Sequence, residues 1–570
     1  MIRGLLLIIC LQAFGLSLAQ KKSFPASDFQ PPFDGDIQII GTFCELRPNH
    51  FHGGLDIRTG GVIGRPVLAI GDGYISRINI SNVGYGKALY ITHPNGYTSV
   101  YAHLHEFPDF IEWYIEKSQY LLKKYEVELY PDADLLQVKK GQLVAYSGNT
   151  GSSQGPHLHF EIRETETEAP VNPLLCGIKM VDRMAPSILN LYIYRKDSLE
   201  KLHNGHYPAV ALPLYTSQIV KKGKKKKKIQ VPISRHTMAF GTYALAANLR
   251  DYATSVGDNN GVNYISIYKD GELFYDCRIE RFMFSQIRMH NNYIDYRLFK
   301  TKGLKIHKLF KDDGSTLDFW EYSPTNGWFV LDDTIPHQFK IVVKDVYGNT
   351  SEKTIYLTGA TNGRKVGDYI MHYKYVKLCK ANNNNKLELS KELNVLLNSG
   401  TLYHDYLLNY ERNNNGTYTI GHIHVPLDKK MTLVYKLNGF QIPLGNKYIV
   451  KCNDGRVYGG ELKGLNEYHV QVRDFGTFQL ILDTIRPTIK PVTINKNGYF
   501  SFVVSDNISG IKDYDFLIND TWVLLKYDSK TGVISGRIPN LLQSGKHIIE
   551  LRVRDTRLNE KVYKRYIDIP

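Results

Sequence analysis

Residues Gly155–Ile162 read GPHLHFEI. On an extended strand, successive side chains face opposite ways. Leu158, Phe160 and Ile162 then share one face, and His157, His159 and Glu161 share the other. Two imidazoles aimed into one space can hold a metal or move protons. A lone His-x-His pair equally describes a polar strand face in solvent. Upstream, NHFHGGLDI (Asn49–Ile57) sets His52 and Asp56 four apart around Gly53-Gly54. Glycine lets a chain turn sharply and approach a neighbour. A neutral imidazole and a carboxylate are suitable zinc ligands, although His-x-x-x-Asp alone occurs by chance. Between these segments lies VYAHLHEF, with His103 after an alternating strand. Three histidine-bearing segments in one β-rich region raise the odds of a common site.

Taken in order, His-x-Gly-x-Asp, Tyr-Ala-His-Leu and Gly-Pro-His-Leu-His-Phe-Glu resemble the lysostaphin/LytM-type zinc endopeptidases. PVLAIGDGYI from Pro66 and GYGKALYITHPNGYTSVYAHL from Gly84 are similar to that family's central sheet, and VKKGQLVAYSGNTGSSQGPHLHFEI from Val138 to its last hairpin. The resemblance covers about 40–176. It implies an antiparallel β-sheet with one zinc ion on the floor of a groove walled by loops. It also implies His52, Asp56 and His159 as metal ligands, with His103 and His157 as catalytic histidines. His50 and His105 fall outside the matched positions and are expected on the rim.

Three protein ligands leave zinc an open position for water, as a catalytic site requires. The residual positive charge lowers the pKa of bound water from 15.7 toward about 7. The resulting hydroxide is expected to attack a peptide carbonyl. No His-Glu-x-x-His segment supplies a glutamate base. His103 and His157 must share proton transfer and oxyanion stabilisation, and the sequence does not divide these roles between them.

The elements that position these residues read mainly as strands. The chain holds 40 Tyr and 47 Gly and many short alternating runs, such as YISRINI from Tyr74, KALYITH from Lys87 and FKIVVKDV from Phe339. Asp72-Gly73 and Asn95-Gly96 are hairpin signals, because such pairs tolerate positive φ. One helix is expected after Pro108-Asp109, where Phe110, Ile111, Tyr114, Ile115, Leu121, Leu122 and Tyr125 recur at helical spacing. Its stripe should pack on the sheet; walling one side of a cleft is the alternative.

Residues 1–19, MIRGLLLIICLQAFGLSLA, have the form of a secretory signal peptide, with Arg3, an apolar run Leu5–Phe14 and the small-residue site Ser17-Leu18-Ala19. No later segment is apolar for long enough to span a bilayer. Export to the periplasm, the cell envelope or the extracellular space is expected. The remaining cysteines, Cys44, Cys176, Cys277, Cys379 and Cys452, are scattered and odd in number. They form neither a disulfide framework nor a thiolate metal site, with Cys44–Cys176 the one pairing worth weighing. Net charge is +15, or +14 without Arg3, and seven lysines lie in Lys221–Lys228. That run is expected as a solvated loop. Export argues against nucleic acid as a partner and for anionic envelope polymers.

Beyond the first domain the chain repeats itself. DRMAPSI at Asp182 and DTIRPTI at Asp483 share Asp, three residues, Pro, Ser or Thr, Ile. VVKDVYGN at Val342, VQVRDFGT at Val470 and LRVRDTRLN at Leu551 are strands running into Asp and a turn. Such spacing suggests immunoglobulin-like β-sandwiches. The expected plan is a signal peptide at 1–19, a peptidase domain at 20–181, a sandwich-like domain with the Lys-rich loop at 182–360, a β-rich domain at 361–482 and a last sandwich at 483–570. The later domains are read as binding or spacer modules.

The leading functional expectation is an exported zinc metalloendopeptidase acting on peptide stems of peptidoglycan. Alternatives are a non-catalytic activator of wall hydrolases, a protease of exported proteins, and a carbohydrate-binding adhesin resting on the β tail alone. All five matched histidine and aspartate positions are present, which disfavours the non-catalytic reading. Protein partners are not indicated.

Overall fold

Alternating apolar residues become strands through most of the chain. The computed structural model describes residues 24–222, 225–252, 260–367, 376–494, 498–538 and 544–569. The expected signal peptide, including Arg3 and Cys10, lies outside the described residues. Among those described, no helix is long and apolar enough to cross a membrane.

The first part of the chain contains β1 (Ile39–Gly41), β2 (Leu46–Arg47), β3 (His50–Phe51), β4 (Leu55–Arg58), β5 (Pro66–Leu68), β6 (Gly73–Ile80), β7 (Lys87–Thr92) and β8 (Tyr97–Leu104). It continues with α1 (Asp109–Leu122), β9 (Val127–Leu129), β10 (Gln137–Val138), β11 (Leu143–Tyr146), β12 (His157–Glu164) and β13 (Pro170–Val171). The main sheet runs β1-β4-β12-β8-β7-β6-β10, with β13 beside β12 and β9 beside β6. Its pairs are antiparallel. The strand bearing His157 and His159 is thus flanked directly by the strands bearing Asp56 and His103. Leu158, Phe160 and Ile162 point into the core with Leu55, Ile57, Leu89 and Tyr101.

The stripe of α1 is narrower than its sequence suggests. Ile111, Ile115 and Gln119 are buried, while Phe110, Leu121 and Leu122 are exposed. The helix also meets the last part of the chain. Tyr120 packs edge-on against Trp522 with ring centroids 5.6 Å apart, and Lys526 lies 3.4 Å from Glu112.

The later β regions have their own cores. From Ser187 to Ala360, a five-stranded and a six-stranded sheet enclose Leu191, Leu245, Ile265 and Phe339. A ten-stranded sheet follows between Val376 and Leu482. Two four-stranded sheets then sandwich Phe500, Phe516 and Leu551. The fold class is therefore mainly β with one inserted helix in the first sheet region, as expected.

One sequence expectation needs revision. Most of the Lys-rich run is hairpin rather than loop: Tyr215–Lys222 pairs with Lys225–Pro232, and Lys221 stands opposite Lys226. The flanking Thr216, Ile219, Val220, Ile229 and Val231 favour strand. Cys44 and Cys176 are free and belong to different hydrophobic clusters.

Cys44 also reveals an interlock. Phe43, Cys44, Leu46 and Phe51, on and around the β2–β3 hairpin, are buried in the core of the following β region rather than under their own sheet. The Phe51 ring lies 5.6 Å from Phe282 and 5.7 Å from Phe319.

Candidate metal centre

Register brings the predicted ligands together. His159 on β12 stands opposite Asp56 on β4, and its Nδ1 lies 2.9 Å from Asp56 Oδ1. His52, just after β3, places Nε2 3.1 Å from the same oxygen and 3.0 Å from His159 Nδ1. All three residues are buried, and their donor atoms lie within 4.8 Å of one another. Two imidazole nitrogens and one carboxylate oxygen form a donor set that suits a zinc-like cation.

The surroundings aim those donors. His52 Nδ1–H donates to the Thr42 carbonyl at 2.8 Å, which turns Nε2 inward. His159 Nε2–H donates to Glu161 Oε1 at 2.8 Å, which turns Nδ1 inward. Glu161 is fully buried and also accepts from Tyr85 Oη at 2.5 Å and Arg163 Nε at 2.7 Å. A carboxylate behind a ligating histidine fixes its tautomer and raises its basicity. Arg47 engages Asp56 Oδ2 and, at 3.1 Å, Glu45, leaving Oδ1 to face the histidines. Gly54 makes the close approach of β4 possible. A Cβ there would stand 2.1 Å from the Phe160 carbonyl oxygen.

The electrostatics agree with cation binding. Burial holds His52 below its ordinary value, in the neutral form a ligand needs. Burial opposes charge on Asp56, but the neighbouring His52 and hydrogen bonds from His157, His159 and His52 keep it well below the usual carboxylate range. His159 is disfavoured as a cation by burial, yet Asp56 and Glu161 push it up to about 9. A proton on His159 is what a bound cation would displace.

His103 reaches the site through a break in alternation. Its neighbour Tyr101 faces the core, and Ala102 faces the opposite side with Tyr90 and Val100. Strict alternation would return His103 to the core. Instead the β7–β8 register shifts between Lys87 and Leu89, and His103 takes φ 59°. Such a bulge re-aims a side chain. Its ring centroid lies 4.9 Å from that of His157. Nδ1–H of His103 donates to the Thr150 carbonyl at 2.9 Å, leaving Nε2 for the groove. Burial, with His159 and His157 nearby, pulls His103 down to about 3. His157 is anchored in the same way, with Nδ1 2.8 Å from the Gly155 carbonyl. Its Nε2 lies 3.4 Å from Asp56 Oδ1.

These five residues border a groove of about 980 Å³. His50 lines it and His105 does not, and α1 contributes no wall residue. One wall comes from outside the first sheet region: Phe284, Ile287 and Lys305. Lys305 Nζ stands 3.6 Å from Glu45, linking that wall through Arg47 to Asp56. Outside the groove lining, the last β region also meets the first, where Ser529 Oγ donates to the Asn82 carbonyl at 2.9 Å and Lys530 Nζ donates to Asn149 Oδ1 at 3.0 Å. Sequence reasoning missed Arg47, Tyr85, the Phe284 wall and the part played by Glu161. Only Glu161 had a local signal, since it alternates in phase with His157 and His159.

Residues 50–119 and 133–173 match the family described as Peptidase family M23, and residues 376–483 match a Zu5-like domain. An uncharacterized metalloprotease of Haemophilus influenzae is 34% identical over 111 residues, which are 20% of this chain and 18% of that protein. Peptidoglycan DD-endopeptidase ShyA of Vibrio cholerae is 30% identical over 141 residues, 25% of this chain and 26% of its own. Lysostaphin of Staphylococcus staphylolyticus is 33% identical over 99 residues, 17% of this chain and 16% of its own. The chain thus spans only between 16% and 26% of the length of these curated relatives.

Proposed function

We propose that this chain, whose residues 50–119 and 133–173 match Peptidase family M23, is an exported zinc metalloendopeptidase that hydrolyses peptide cross-links of peptidoglycan. The observation that carries the reading is the convergence of His52, Asp56 and His159 on one point, with His103 and His157 beside it. Residues 20–181 are read as the catalytic module, followed by β modules at 182–360, 361–482 and 483–570.

His52 Nε2, Asp56 Oδ1 and His159 Nδ1 would hold one zinc ion. When bound, zinc supplies Lewis acidity and lowers the pKa of a coordinated water toward about 7. The chain supplies the rest. Thr42 and Glu161 orient the two imidazoles, and Arg47 orients the carboxylate. His103, kept neutral by burial, presents an unprotonated Nε2 and is the proton acceptor. His157, more exposed and beside Asp56, lies where negative charge develops on the substrate carbonyl oxygen, and the proton that His103 takes up passes to the leaving amine. The histidine pair takes the place of a glutamate base.

The substrate reading rests on three supports. The leader-like first residues point to export. ShyA is named for peptidoglycan DD-endopeptidase activity. The groove, at about 980 Å³, has room for a short peptide. Cleavage between D-alanine and the diamino acid of the neighbouring stem is the favoured bond. The similarity to a relative named glycyl-glycine endopeptidase ALE-1 keeps a glycyl-glycine bond as the second reading. The test is digestion of cross-linked wall fragments, pentaglycine and denatured protein in parallel, followed by mass spectrometry. Loss of muropeptide dimers with matching gain of monomers is expected. Cleavage of pentaglycine with untouched dimers would select the second reading, and activity on denatured protein alone would overturn both.

A further inference from the structure

Two three-aspartate clusters lie outside the lining of the groove, and they match the sequence repeat. We propose that Asp182, Asp251 and Asp345 form one binding site for a hard divalent cation, calcium by preference, and that Asp483, Asp506 and Asp555 form a second, equivalent site. In each trio one carboxylate oxygen per residue lies within 4.8 Å of the others.

Proximity of acidic groups alone would not make a site. The decisive feature is what these carboxylates lack. Asp483 is fully buried, and neither of its carboxylate oxygens has a hydrogen-bond partner among the described residues. Asp251 is 3% exposed, and its Oδ1 is likewise without a partner among the described residues. Asp506 Oδ1 is buried in the same condition. Among the described residues no lysine or arginine forms an ion pair with any of the six. A buried carboxylate without a hydrogen bond or counter-charge is costly. In the first cluster, burial and the neighbouring Asp182 and Asp345 push the Asp251 carboxyl up to about 7. A divalent cation removes that penalty for all three groups at once.

The two clusters are built alike. Asp182 and Asp483 open the repeated Asp-x-x-x-Pro segments, while Asp345 and Asp555 end strands that run into turns. Four residues beyond each strand end stands an asparagine. Asn349 Nδ2 donates to Asp345 Oδ2 at 2.7 Å and to the Asp182 carbonyl at 3.4 Å. Asn559 Nδ2 donates to Asp555 Oδ2 at 2.8 Å and to the Asp483 carbonyl at 3.1 Å. The residue before each asparagine has positive φ, 85° at Gly348 and 60° at Leu558. The same turns reach back to the preceding part of the chain. Met180 N donates to Tyr347 Oη at 3.1 Å, and Arg557 Nη1 donates to the Gly460 carbonyl at 3.2 Å. A cation there would stiffen both joints.

All-carboxylate donor sets suit hard cations. Calcium accepts six to eight oxygens in flexible geometry, whereas magnesium demands a near-ideal octahedron and keeps its waters. Neither trio offers the imidazole or thiolate that zinc favours.

The test uses the full chain, freed of metal and equilibrated by dialysis against calcium chloride at about 1 mM, the range of extracellular calcium modules. Elemental analysis should find two calcium ions per chain, one for each cluster. Asp483→Asn and Asp251→Asn should each lose one, and the double variant should lose both. Calcium should raise the thermal unfolding temperature of the wild type and leave the double variant unmoved. Without calcium, Asp483→Asn should unfold no earlier than wild type, because it relieves a confined charge. Circular dichroism checks folding, and Asp506→Asn, at the less buried position, serves if Asp483→Asn misfolds. Equal calcium uptake by wild type and double variant would overturn the proposal, as would a wild type that takes up none.

Discussion

His159 donates its Nε2 proton to Glu161 Oε1 at 2.8 Å while its Nδ1 lies 2.9 Å from Asp56. One imidazole is thereby held between a carboxylate that orients it and the point where the metal donors meet. Glu161→Gln keeps an acceptor but removes the charge. Zinc affinity should fall by about 10–100-fold, measured by competition against a chelating dye. Unchanged affinity would show that Glu161 only fills space.

His159→Ala and Asp56→Ala should abolish zinc binding and hydrolysis together, against one zinc per chain in the wild type. Elemental analysis of the purified proteins decides the matter. Full occupancy in either variant would remove that residue from the ligand set.

His103→Ala and His157→Ala should retain zinc and lose about 10²–10⁴ in turnover, the usual worth of a positioned acid or base. Metal content and kcat are to be measured on the same preparation. Wild-type turnover in either variant is incompatible with the two-histidine mechanism.

Phe51 precedes His52 yet is buried among Phe282, Tyr293 and Phe319. Phe51→Ala should cost about 3–5 kcal/mol, followed as a lowered unfolding midpoint. A chain ending at residue 181 would expose Phe43, Leu46 and Phe51 together. It should aggregate or bind a hydrophobic dye, even though every proposed catalytic residue precedes the cut. A stable, monomeric truncation with native zinc affinity would contradict this interlock.

Phe284 and Ile287 wall the groove without reaching the metal donors. Ile287→Ala should raise KM several-fold at unchanged kcat, because it removes binding felt equally in ground and transition states. A fall in kcat at constant KM would show instead that the wall acts during the chemical step.

Much of the centre was legible locally. The phase of His157, His159 and Glu161 follows from the two-residue period of a strand, and Leu158, Phe160 and Ile162 occupy the core as that period requires. The glycines beside His52 read as a close approach, and Gly54 meets the Phe160 carbonyl. The order of three motifs pointed to the resemblance that the match of residues 50–119 and 133–173 bears out, and the alternating apolar runs pointed to a mainly β fold. The lysine run was misread because its charge suggested a loop, while the β-branched residues flanking it extend the hairpin.

Other features could not be read along the chain. His103 faces the site only because a bulge with positive φ breaks the alternation that its own strand would impose. Arg47 meets Asp56, and Lys305 meets Glu45, through contacts that no spacing encodes. The sequence by itself determined which side chains can bind metal and which strand faces carry them, because residue type and backbone period are local properties. The tertiary structure alone decided that a later β region would bury Phe51 and wall the groove with Phe284, because burial of apolar surface is non-directional and joins residues distant in the chain.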